Sequence, residues 1–286
     1  RMMRGGCNRD RGIGPDSEGL GIAVGGNHNT IRRSVIAHCT GDGISVCGRH
    51  NTIEDCVIPD CNLSASDCAP INVTGEGHRI TRCTIFNAGR SGIVHRKLRR
   101  GRIDHNHIHD VGLITNDLGG TYCFTTEGEG TVIAFNRVHD VHCHTGVGIY
   151  VDNISPGHIV HHNLCYDCED AGIRLNTPAL NQRVVNNTLV RNGSSIAHWG
   201  RNNRDMTGTV IANNILADSV SPGEGAELTH NFRGETPGFI DPENDNFHLA
   251  AGSPCIDAGR VVEGITGEFT GEAPDIGCYE READPG

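Results

Sequence analysis

Aromatic side chains are scarce in this chain, at 4 % of its 286 residues. That scarcity argues against a globule built on large aromatic anchors. Lysine is nearly absent, with Lys97 the single example among many arginines. The formal net charge is −11, so there is no general basic face to neutralise phosphates, and nucleic acid is disfavoured as a partner. No run of ~20 apolar residues occurs, so no membrane span is expected. The opening "RMMRGGCNRDRGIG" lacks the apolar stretch of a signal peptide, and a truncated start is expected there. A helical period is missing throughout.

Glycine, by contrast, is abundant, with 39 residues, and this implies many turns. A six-residue pattern recurs: an aliphatic, two variable residues, a small or amide residue, one more residue, and an aliphatic or similar apolar residue. It reads "IRRSVI" from Ile31, "IEDCVI" from Ile53, "ITRCTI" from Ile80, "IDHNHI" from Ile103, "IAFNRV" from Ile133, "VHHNLC" from Val160, "VVNNTL" from Val184 and "IANNIL" from Ile211. A second pattern keeps step with it, as in "GIAV", "GISV", "GIYV" and "GIRL". Two short alternating strands per repeat cannot bury their apolar residues alone, but stacked repeats can. The expected fold is all-β: a right-handed parallel β-helix solenoid of about eight coils over residues 21–223. Residues 1–20 would be a lead-in and 224–286 a C-terminal cap.

Stacking places equivalent residues in columns about 4.8 Å apart. One column holds Ser34, Cys56, Cys83, Asn106, Asn136, Asn163, Asn187 and Asn214, whose amides can bond along the axis. Another holds Cys39, Cys61, Ala88, Val111, Val141 and Cys168. Five of the 13 cysteines thereby read as small buried residues. The Cys165 and Cys168 pair lacks the second pair that a zinc site needs, and Cys255 with Cys278 is a candidate disulfide.

Alternation along "G-I-x-V-x" sends two columns outward. The first runs Ala23, Ser45, Asn72, Val94, Tyr122, Tyr150, Arg174, Ala197. The second runs Gly25, Cys47, Thr74, Arg96, Phe124, Asp152, Asn176, Trp199. The middle coils thus present aromatics, amides and single charges, as a sugar-binding groove requires. Asp152 lies in the second column. Asp117 precedes a strand inside the longest repeat interval, and Glu127 and Glu129 follow that strand. Glycosyl transfer uses two carboxylates, so Asp117, Asp152 and Glu127 are the candidate catalytic residues. Tyr122, Tyr150, Arg174, Asn176, Trp199, Arg96, His142 and His144 are candidate substrate contacts. His142 and His144 would share a strand face, but with His139 and Cys143 they make only a loose metal spacing, and no metal ligand set is assigned. The basic stretch from Arg90 through Arg96, Lys97, Arg99 and Arg100 to Arg102 could grip a uronate or sulfate.

The eight coils resemble the right-handed parallel β-helix, pectate-lyase-like superfamily of carbohydrate-active proteins. "DLGGTY" followed by "GIYVDN" resembles the D-x-G-G-x-Y … G-I-Y-x-D signature of β-helix glycoside hydrolases, in the group with α-L-fucosidase and xylanase activities. The resemblance implies Asp117 and Asp152 as catalytic carboxylates, a poly- or oligosaccharide partner and no required cofactor. "TYCFTTEGEG" departs from the more aromatic stretch usual after the first aspartate. The tail "GSPCIDAG … DIGCYE" is similar to endings common after bacterial secreted β-helices, which implies an extracellular or periplasmic location. Two alternatives stand beside the hydrolase. One is a polysaccharide lyase or uronate epimerase, with Ca2+ or arginine neutralising the substrate carboxylate and Glu127, Glu129 and Asp152 as candidate Ca2+ ligands. The other is a non-catalytic glycan-binding β-helix.

Overall fold

A computed structural model describes residues 19–200 and 203–281. The lead-in expected over 1–20 falls, up to residue 18, outside the described residues. Three parallel sheets run along one axis. The first stacks eight strands, from Ile22–Val24 to Ile196–Ala197; the second stacks nine, from Thr30–Arg32 to Glu227–Thr229; the third stacks eight, from Val57–Pro59 to Phe232–Arg233. No α-helix occurs among the described residues. This is a parallel β-helix, and one continuous aliphatic core fills it. Ile44, Ile53 and Ile58 point inward from the three sheets of one coil and are fully or almost fully buried.

Each full coil holds three strands rather than the two expected. The six-residue pattern straddles two of them, because its third residue bends the chain between sheets. Arg33, Asp55, Arg82, His105, Phe135, His162, Asn186 and Asn213 occupy that position, and all have φ between 49 and 56°. Non-glycine residues rarely adopt this left-handed region, so the corner must be held. The next residue holds it. The Asn106 amide donates to Asn136 Oδ1 at 3.0 Å, and the ladder continues through Asn163, Asn187 and Asn214 to Asn231 at 2.9–3.0 Å. Each amide oxygen also accepts the backbone N–H of the coil below, as Asn163 does from Asn136 at 3.0 Å.

Stacking continues past residue 223. Glu227–Thr229 pairs with Val210–Ala212, and Phe232–Arg233 with Ile215–Leu216. A ninth corner therefore lies inside the segment that composition assigned to the cap. Its sequence, "LTHNFR", carries the same left-handed third residue, His230, but ends on arginine and so escapes the aliphatic pattern. Beyond it, Phe239–Asp241 and Asn246–Leu249 form an antiparallel hairpin. The remaining tail lies along the flank of the last coils. Asn186 Nδ2 donates to the carbonyls of Asp275 and Gly277, and Asn213 Nδ2 to that of Arg260. Cys255 and Cys278 are separate buried thiols there, not a disulfide.

Candidate functional site

The first sheet positions the site. Its strands are short at the ends but reach six residues in the middle, at Leu118–Cys123 and Gly146–Val151. Pairing places Val94 over Tyr122, Tyr122 over Tyr150, and Tyr150 over Arg174. The outward columns expected from alternation therefore exist, and they form the floor of an open groove of about 710 Å³.

Asp117, Asp152, Tyr122, Tyr150, Arg96, Arg174, Asn176 and Trp199 all line this groove. Four further lining residues come from turns or turn-adjacent positions: Asp67, Arg90, Thr145 and Asn153. Alternation along strands does not reach turns, so periodicity carried no signal for them.

Asp152 sits at the floor, 5 % exposed. It accepts hydrogen bonds from Tyr122 OH at 3.0 Å, Asn176 Nδ2 at 2.7 Å and the Asn153 N–H at 2.7 Å. Three donors fix its orientation. Asp117 stands at the rim with a side chain 62 % exposed. Its backbone N–H donates to Thr145 Oγ1 at 2.7 Å, and its carbonyl accepts from Arg90 at 3.0 Å. The loop before this strand thus turns Asp117 over the groove. Tyr150 OH donates to Asp117 Oδ1 at 3.4 Å, and Asn176 Nδ2 donates to Tyr150 OH at 2.8 Å and to Asp152 Oδ1 at 2.7 Å. These contacts link the two carboxyl groups, so their linked oxygens lie within about 9 Å of one another, a span that overlaps the range for paired-carboxylate hydrolysis.

The tyrosines do not offer the open ring faces expected of them. Both are buried and meet edge to face, with centroids 5.3 Å apart. The Arg90 and Arg96 guanidiniums lie 5.8 and 5.4 Å from the Tyr122 ring centre, and Arg174 lies 5.9 Å from that of Tyr150. Burial first, and then the charges of Asp152 and Asp117, raise both phenol pKa values far above the usual range. The hydroxyls stay protonated and act as donors. Trp199, 54 % exposed, is the open aromatic surface at one end of the groove.

Three expected site residues lie elsewhere. Glu127 is exposed in the turn after its strand, outside the groove lining. His142 and His144 occupy a turn rather than a strand; His142 Nε2 contacts Asp110 Oδ1 at 3.3 Å, and His144 is exposed. The turn-forming "HTG" removes the alternation that would have aligned them. The basic stretch also divides. Arg90 and Arg96 face the groove and pair with Asp67, whereas Arg100 pairs with Glu76 at 2.7 Å and with Glu129. Glu129 is thus an ion-pair partner outside the groove, so the Ca2+ ligand set of Glu127, Glu129 and Asp152 does not assemble. Arg174 pairs with Asp170 at 2.5 Å.

No helix of the described residues is long and apolar enough to cross a membrane. Residues 60–216 match the family described as right handed beta helix region. That span covers six of the eight strands of the first sheet. No curated protein matches the sequence. Among solved structures, the chain is similar to pectate lyase Pel9A, with a TM-score of 0.74 and 19 % identity over 92 % of this chain and 73 % of that one. It is also similar to the periplasmic alginate epimerase AlgG, with a TM-score of 0.52 and 16 % identity over 71 % of this chain and 50 % of that one. At these identities the likeness is one of fold.

Proposed function

We propose, for a chain that belongs to the right handed beta helix family, the hydrolysis of a glycosidic bond in a poly- or oligosaccharide, with Asp117 and Asp152 as the paired carboxylates. One observation carries this reading: a buried, three-donor-fixed Asp152 and an exposed Asp117 face one groove and are joined through Tyr150 and Asn176. One carboxyl group protonates the leaving oxygen while the other attacks the anomeric carbon or activates a water. Asp152, held rigidly, suits the role that needs fixed direction. Asp117, reachable from solvent, suits proton exchange with the leaving group. Trp199 and Arg174 would bind neighbouring sugar units. Because polysaccharides are met outside the cytoplasm, an extracellular or periplasmic location goes with this reading.

A second reading is favoured by Arg90, Arg96 and Arg174, which bring three guanidiniums to the same groove. Guanidinium pairs well with carboxylate, so a uronate-acting lyase or epimerase is the competing class, with or without Ca2+. The named neighbours, a pectate lyase and an alginate epimerase, handle such polymers.

The test is a screen of neutral and uronate-containing glycans, followed by Asp117→Asn and Asp152→Asn on any substrate found. Each substitution is expected to lower kcat by about 100-fold or more, while Glu127→Gln stays near wild type. New reducing ends without an ultraviolet-absorbing unsaturated product mark hydrolysis. An unsaturated product, or full activity in both Asn variants, would overturn the assignment.

A further inference from the structure

Beneath the groove, the inward column of the first sheet changes character. In register it runs Val24, Val46, Val73, His95, Cys123, Val151, Leu175. Five of these are aliphatic, and a histidine and a cysteine interrupt them in consecutive coils. A second histidine, His158, faces them from the start of the second-sheet strand Ile159–His161. All three side chains are fully buried. One ligand atom from each lies within 4.8 Å of the other two.

The hydrogen bonding at this cluster is incomplete in a telling way. His158 Nδ1 contacts the Ser155 carbonyl at 3.2 Å, which makes Nδ1 the protonated nitrogen. Its Nε2 lone pair is then aimed at Cys123 Sγ, 3.8 Å away. A second-sphere carbonyl that fixes the tautomer in this way is the usual support of a metal-bound imidazole. His95 has no hydrogen-bond partner for either ring nitrogen, a condition that buried polar groups rarely tolerate. A histidine that serves only as core filler behaves differently, and this chain supplies one. His78 sits in the same corner column as His158, but accepts from the Asn51 N–H at 3.1 Å and contacts the Thr74 carbonyl at 3.1 Å. Both of its nitrogens are satisfied.

We propose that His95, Cys123 and His158 form a buried three-ligand site for a transition-metal ion of the zinc and copper class, with a small exogenous ligand in any fourth position. Two imidazoles and one thiolate are borderline-to-soft donors, which select these ions over calcium or magnesium. Binding replaces the Cys123 S–H bond with an S–metal bond and releases that proton to solvent; no electron changes hands. Neutral imidazoles present lone pairs to the ion, and only the thiol gives up a proton. The ion would staple three successive coils at the level of Tyr122 and Asp152. The Asp152 N–H donates to the Cys123 carbonyl at 3.0 Å, and the His95 N–H to the Tyr122 carbonyl at 2.9 Å. The groove floor is thus tied directly to the ligands.

The inference does not rest on the hydrolase reading and is tested without a substrate. Protein purified without chelator is examined by elemental analysis, then unfolded in chelator and refolded with Zn2+ or Co2+. A single ion per chain, a thiolate-to-cobalt charge-transfer band and a higher thermal midpoint with Zn2+ than without are expected. Cys123→Val installs the aliphatic residue of the same column and should fold. In that variant the band and the zinc-dependent stabilisation should both vanish, whether or not activity persists. Wild-type protein that binds neither ion stoichiometrically, or metal content unchanged by Cys123→Val, would overturn the proposal.

Discussion

The hydroxyl of Tyr122 isolates one interaction at the residue scale. It donates to Asp152 from a ring packed between two guanidiniums and Tyr150. Tyr122→Phe keeps that packing and deletes the donor. A hydrogen bond to a charged group contributes roughly 1.5–3 kcal/mol, so kcat should fall by about 10- to 100-fold, with the thermal midpoint nearly unchanged. A proportionate fall in midpoint would mean that the hydroxyl supports the fold rather than Asp152. The groove floor was legible because alternation fixes which strand residues face outward, and Tyr122, Tyr150, Asp152, Arg174 and Asn176 follow it. Asp67, Thr145 and Asn153 were not legible, since turns carry no period, and Arg90 was visible only through the basic stretch it opens. His142 and His144 were misplaced for the same reason, being treated as strand where the chain turns. The rings of Tyr122 and Tyr150 were expected open, because sequence does not reveal that arginines from flanking positions cover them.

At the scale of the repeating coil, the left-handed corner and the amide behind it form one device. Asn163 Oδ1 accepts two bonds from Asn136, and its Nδ2 donates to Asn187 and to the carbonyls of Ile133 and His161. Asn163→Ala leaves several buried groups unpaired, at about 1–3 kcal/mol each before any relaxation. A loss of roughly 3 kcal/mol or more in urea unfolding is expected. Cysteine in this column is more than a small filler. Cys83 Sγ donates toward the Thr81 carbonyl at 3.4 Å and the Ile53 carbonyl at 3.9 Å, the same two backbone positions that an Asn amide reaches. Asn163→Cys should therefore cost less than Asn163→Ala, and equal costs would refute this shared role. The ladder was legible in the recurrence of Asn, and the stacking of the coils in the repeat interval. The third strand per coil was not, because the residue that bends the chain is variable in type: Arg, Asp, His, Phe or Asn. Only its φ is shared.

For the whole molecule, the histidines make folding sensitive to acid in a defined window. Burial, followed by the neighbouring His162 charge, lowers His161 to about 3; burial alone lowers His162 to about 4. Burial and then the His109 and His139 charges lower His107 to about 4. These rings lie on the outer faces of the second and third sheets, away from the groove, and several stack. His109 lies 5.1 Å from both Phe86 and His139, and His139 lies 4.6 Å from Tyr166. In the unfolded chain histidine titrates near 6.5. Between about pH 6.5 and 4 the unfolded state therefore binds protons that the folded state refuses, and stability must fall as pH falls. Above about pH 6.5 both states are neutral at these positions, and their contribution is complete and flat. Urea midpoints measured in chelator, to remove any metal contribution, should hold steady from about pH 8 to 7 and then decline through this window. Replacing His161 and His162 together by Gln removes two of the refused protons, so the decline should become shallower while the neutral-pH plateau persists. A midpoint that stays level down to about pH 4 would mean that these rings accept protons freely in the folded solenoid, and that the packed histidine faces contribute nothing to its acid response.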